Sequence, residues 1–137
     1  MACIAKTDIR DRSDITQIIT TFYDLVRKDP ELGYIFDEVA RINWETHTPL
    51  IIDFWEATVL GTITYTRNAM APHFGLHEKS PLTAQHFSRW LLHFHTVVDR
   101  LYRGPRADLM KQRADGIAGL MQHKLGIPLA QGNTGIQ

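Results

Sequence analysis

Cysteine is nearly missing from this chain of 137 residues, with Cys3 standing alone near the start. One thiol forms neither an internal disulfide nor a cysteine-based metal site. A disulfide-stapled secreted domain is therefore not expected, and a reducing compartment is. No run of about 18 apolar residues occurs, so no transmembrane helix is expected. The first residues show no apolar stretch followed by a small-residue cleavage site, so no signal peptide is expected either. Net charge is lacking as well, because fifteen basic residues balance fifteen acidic ones. Without the cationic stripe that nucleic-acid binding leaves, nucleic acid is not an expected partner. The expected location is cytoplasmic.

Several catalytic signatures are also absent. None of Glu31, Glu38, Glu45, Glu56 and Glu78 has a histidine three residues on, which excludes the Glu-x-x-His ligands of a carboxylate-bridged di-iron bundle. There is no HExxH zinc motif and no glycine-rich phosphate loop. No two of the nine glycines are adjacent. No repeat, low-complexity block or strand pattern is found.

What remains is an ordinary globular composition, 44% hydrophobic and 22% charged. A chain of this size buries roughly 65–70% of its unfolded surface, enough for one domain with its own core. The boundaries expected are an N-terminal extension over 1–12, the domain over 13–128 and a flexible tail over 129–137.

The hydrophobic period is helical. Ile15, Ile18, Ile19, Phe22, Tyr23 and Val26 share one face of a first helix that Ser13 or Asp14 can cap. Asp29 and Pro30 then start a short piece limited by Gly33. Asn43 opens a second long helix whose inner face carries His47, Ile51, Phe54, Trp55 and Thr58, and Gly61 closes it. Residues 62–81 are the least periodic, broken by Pro72, Gly75 and Pro81. Thr83 caps a helix with Phe87, Trp90, Leu91, Phe94, Val97, Val98 and Leu101 in register. Gly104 and Pro105 begin a last one striped by Met110, Ala114, Ile117 and Met121, and Gly126 and Pro128 end it. The fold class is all-α, four main helices plus a short one.

Seven histidines supply the chemistry worth weighing. His73 and His77 stand at i, i+4, a weak metal-binding spacing that Gly75 weakens further. Taken singly, His73 reads as a solvated loop histidine and His47 as a partnered core histidine. Tyr23 alone reads as a core tyrosine with a satisfied hydroxyl, and Trp90 as core packing. His93 and His95 flank Phe94 and are expected on the surface, and His77 is expected to be exposed. Met110 and Met121 are expected as core filler.

Order and spacing say more than any one residue. Phe22-Tyr23 lies in the first helix, followed by the Asp29-Pro30-Glu-Leu-Gly-Tyr-Ile-Phe36 segment. His73 comes 26 residues after His47, and Trp90 comes 17 residues after His73. With these landmarks, residues 15–126 resemble a truncated haemoglobin, most similar to the third group of that family, whose loops lack the Gly-Gly pairs of the others. The resemblance implies a shortened globin fold with helices packed two over two around a haem b. It makes His73 the proximal iron ligand, with Tyr23, His47 and Trp90 facing a bound gas. Phe36, Ile51, Phe54, Trp55, Phe74, Phe87 and Leu91 would pack the porphyrin beside His47, His73 and Trp90.

The chemistry agrees with those roles. One neutral imidazole holds haem iron and leaves the sixth position open. Oxygen gains negative charge on binding ferrous iron, and a donor aimed at it contributes about 1–3 kcal/mol in a dry pocket. The implied function is reversible binding of O2, with NO and CO as further ligands. NO dioxygenation or peroxidase-like turnover with a redox partner is the alternative, and a haem-free helical interaction module is a third. Two positions depart from the pattern. Pro72 directly precedes His73, so the ligand-bearing helix begins there or is distorted. Leu50 stands where a propionate-clamping cation is expected, leaving Arg67 or Lys79 to substitute. His73→Ala should abolish proximal ligation, and an unchanged ferrous absorption spectrum would refute the assignment.

Overall fold

A computed structural model of the chain describes residues 6–36, 43–61 and 82–127. These form four helices: α1 (Arg12–Lys28), α2 (Trp44–Leu60), α3 (Ala84–Leu101) and α4 (Pro105–Leu125). No strand occurs among the described residues. The tail over 129–137 lies outside them. So does the 62–81 segment, with Arg67, Pro72, His73, Phe74, His77 and Lys79.

The predicted faces close on one core. α1 packs on α2 and α3 packs on α4, while α1 also meets α3 and α2 meets α4, so the two pairs stack as two helices over two. Ile15, Ile18, Ile19, Phe22 and Val26 of α1 are buried in one core with Phe94, Val97 and Val98 of α3 and Met110, Ala114 and Ala118 of α4. Met110 and Met121 are both core residues, as expected.

The caps follow the sequence with one correction. Asn43 and Thr83 accept helix N–H groups at the starts of α2 and α3, and Pro105 stands at the start of α4. Gly61 and Gly126 end α2 and α4 in the left-handed region, at φ 77° and 72°. α1, however, is capped by Asp11, which accepts the Asp14 N–H, and not by Ser13 or Asp14. The Asp14 carboxylate faces backward instead. It takes the Arg10 backbone N–H and guanidinium and the Tyr102 hydroxyl, the last at 2.9 Å.

Residues at the N-terminal end are tied to the body of the fold. Ile9 is buried in the core, and Asp8 accepts the backbone N–H groups of Arg106 and Ala107, both at 2.9 Å. This carboxylate caps α4, whose own cap residue is a glycine without a side chain. Gly104 is required there, since it sits at φ 150° and a Cβ would fall 2.5 Å from the Asp8 carboxyl carbon.

A second buried carboxylate joins the turn after α1 to α3. Asp29, with 1% of its side chain exposed, accepts the Glu31 N–H at 2.8 Å and ion-pairs with Arg89 at 3.0 Å. Its Oδ2 lies 2.6 Å from His93 Nε2. The sequence suggested a surface His93; its ring is instead partly buried and held by a carboxylate 64 positions earlier in the chain. His95 remains outside, paired with Asp115 at 2.7 Å. Burial alone would raise the Asp29 carboxyl, but the bonds from His93, the Glu31 N–H and Arg89 outweigh it and hold the carboxyl at about 2. The folded value lies below the ordinary 3.8, so the contribution is complete above pH 4 and disappears as pH falls towards 2. It is worth about 2 kcal/mol. Asp29→Asn should therefore lower neutral-pH stability and flatten the loss of stability between about pH 4 and pH 2. Urea midpoints measured across that range check this, and an unchanged acid limb would refute it.

Candidate functional site

The helix period of α1 places Phe22 and Tyr23 side by side where α1 meets α2 and α3. Phe22 contacts the Tyr23 ring at 4.9 Å, Trp90 at 5.4 Å and Phe94 at 5.1 Å. Trp90 in turn stacks on Phe94 at 5.6 Å. Tyr23 reaches across to α2, with its ring centroid 5.8 Å from that of His47 and 5.0 Å from that of Trp44. The structure thus brings Tyr23 and His47 into direct contact and joins Trp90 to them through Phe22.

Two polar tips in this cluster stand out. His47 Nε2 is buried and has no hydrogen-bond partner. Burial also pushes its pKa below the ordinary 6.5, so the ring is neutral at pH 7. Burial pushes the Tyr23 hydroxyl well above the ordinary tyrosine range, which keeps its proton in place. A buried polar group without a partner costs about 1–3 kcal/mol. Such groups are concentrated at sites where a ligand supplies the partner.

Beside them opens an apolar cleft. Leu32, Ile35 and Phe36 line it from the segment after α1, with Leu82, His86, Phe87 and Trp90 from the α3 side and Met121 from α4. Phe36 connects cleft and polar pair, since its ring lies 6.3 Å from Tyr23. Ile51 and Trp55 are buried, with Trp55 against Phe94 at 5.0 Å, while Phe54 and Leu91 are partly buried on the same core. His73 and Phe74 fall outside the described residues. Among those residues no three His, Cys, Asp or Glu side chains converge as a metal site. A flat apolar group carrying its own metal fits this arrangement, because it needs apolar walls with a few polar groups close by. Haem is such a group, and the described residues fit it.

Sequence reasoning missed Trp44. It lies at i, i+3 from His47 on α2, which was the available signal. Its ring touches Tyr23, His47 at 5.6 Å and Phe36 at 6.1 Å. Leu32, Ile35, Leu82 and His86 of the cleft were missed too, as they flank the irregular segments.

Known proteins are similar to this chain in sequence and in fold. The sequence model described as bacterial-like globin matches residues 8–123. The group 3 truncated hemoglobin ctb of Campylobacter jejuni is 28% identical over 123 residues, spanning 88% of this chain and 94% of the relative. The crystal structure of group III truncated hemoglobin from Campylobacter jejuni is similar with a TM-score of 0.75 at 27% identity. That match covers 88% of this chain and 95% of the other.

His47→Leu removes a buried nitrogen that nothing satisfies. It should raise the unfolding free energy of the cofactor-free protein by about 1 kcal/mol while impairing ligand binding. Urea denaturation checks the first part, and a less stable variant would refute it.

Proposed function

Because the chain belongs to the bacterial-like globin family, we propose that it holds haem b through His73 and binds O2 reversibly, with NO and CO as further ligands. Haem binding and gas binding in general follow from the family. When bound, haem supplies a ferrous iron with one open coordination position. The observation that carries the finer reading is the contact between the buried Tyr23 and the partly buried His47, whose Nε2 is itself buried and left unpartnered.

This chain's residues would then do three things. Apolar side chains of the cleft exclude water and pack the macrocycle. Phe36, Phe87 and Trp90 line that cleft, and Ile51, Phe54, Trp55, Phe74 and Leu91 are the further candidates. Tyr23 offers an O–H donor and Trp90 an N–H donor to a ligand that has gained negative charge. His47, neutral at pH 7, offers one ring nitrogen as donor or acceptor according to its tautomer. The lone Cys3 supports a cytoplasmic location. No helix among the described residues is long and apolar enough to cross a membrane.

Absorption after haem reconstitution tests the reading, since absence of a Soret band would overturn it. Rapid NO or peroxide turnover with electrons from a reductase would instead make gas binding one step of an enzyme. Tyr23→Phe removes one donor and should speed O2 release about tenfold or more. Stopped-flow release rates check this, and equal rates in variant and parent would refute the role of Tyr23.

A further inference from the structure

Trp44 occupies a place that gas binding in general does not explain. Its indole meets Tyr23 at 5.0 Å and His47 at 5.6 Å, and so braces both members of the polar pair. From the outside, the Arg27 guanidinium lies over the same ring, 4.9 Å from its centroid. The ring face attracts the cation, which holds the two side chains together. An open groove runs along this outer side, lined by Thr20, Tyr23, Asp24, Arg27, Trp44 and Thr48. Tyr23 borders this groove and also faces His47. Trp44 therefore stands between this groove and the partly exposed His47.

We propose that Trp44, clamped from outside by Arg27, is a positioning residue that holds Tyr23 and His47 in place and controls the path by which a gas reaches them. The inference rests on the gas-binding reading above. An aromatic plate is suited to the task. It covers a large area with only two side-chain torsions to fix, and its edge and face contacts orient two rings at once. Arg27, on the last turn of α1, fixes the plate to the helix that carries Tyr23.

The test uses the haem-reconstituted protein and Trp44→Leu, Trp44→Phe and Arg27→Gln. CO association after flash photolysis reads the path, and the infrared C–O stretch reads the polar groups around the ligand. The melting temperature reads the fold. Trp44→Leu should raise the association rate about tenfold and shift or split the C–O band. Trp44→Phe keeps a ring and should stay within about twofold of the parent in rate, with a single band. Arg27→Gln should fall between them. Parental rates and band in a folded Trp44→Leu would overturn the proposal. If that variant fails to fold, parental values in Arg27→Gln would overturn it instead. A parent protein without a Soret band overturns the haem reading and this inference together, whereas a normal Soret band with parental variant kinetics overturns this inference alone.

Discussion

Phe22 sits at the crossing of α1 and α3 with 1% of its surface exposed, and three rings rest on it: Tyr23, Trp90 and Phe94. Close packing allows such a ring few alternative positions. The contact therefore fixes more than the spacing of two helices. It sets where Tyr23 turns towards α2, and where Trp90 stands at the edge of the apolar cleft. The two donors come from different helices, 67 positions apart in the chain. A single buried phenylalanine touches both rings.

That site carries a cost met by interactions elsewhere. His47 leaves a nitrogen unpaired, and burial holds the Tyr23 hydroxyl in its protonated form. The buried carboxylates work in the opposite sense, each having more than one partner. Asp14 gathers Arg10 and Tyr102, and Asp29 gathers Arg89, His93 and the Glu31 N–H. Asp29 has a direct bearing on the site. It fastens the turn that leads to Leu32, Ile35 and Phe36 onto α3, the helix bearing Phe87 and Trp90, so both walls of the cleft meet at one ion pair. Sites of incomplete satisfaction and regions of full satisfaction are thus segregated, as expected when function withholds a partner from selected groups.

Local signals in the sequence were faithful except at the start of α1, which Asp11 caps. Helical faces, the Asn43 and Thr83 caps and the glycines that end α2 and α4 depend on residues within a turn of one another. Those could be read from spacing alone. Tyr23, His47 and Trp90 were legible only as an ordered set, since each taken singly looks like core. Apart from the α1 cap, which is Asp11 and not Ser13 or Asp14, what was misread or missed involves partners far apart in the chain. Asp8 caps a helix 98 positions away, and Asp29 draws in a histidine 64 positions away. Neither pairing leaves a periodic trace. Trp44 was overlooked for a related reason. It stands at the first position of α2, where an aromatic suggests an exposed end, and only the approach of α1 buries part of it.

The start of α2 shows how local chemistry and long-range packing divide the work. Asn43 holds the first turn through its carbonyl, which accepts the Thr46 and His47 N–H groups, and through its side chain on Glu45. Pro49 follows within the same helix and cannot donate to the Glu45 carbonyl. The turn bearing Trp44 and His47 is therefore secured at its cap but lacks one rung towards the helix body. Its orientation depends correspondingly more on side-chain contacts, and those come from α1 through Tyr23 and Arg27. A continuous ladder would fix His47 by the axis of α2 alone. With one rung missing, the position of His47 answers to the same helix that carries Tyr23, so the two polar groups are placed relative to each other and not merely relative to the fold.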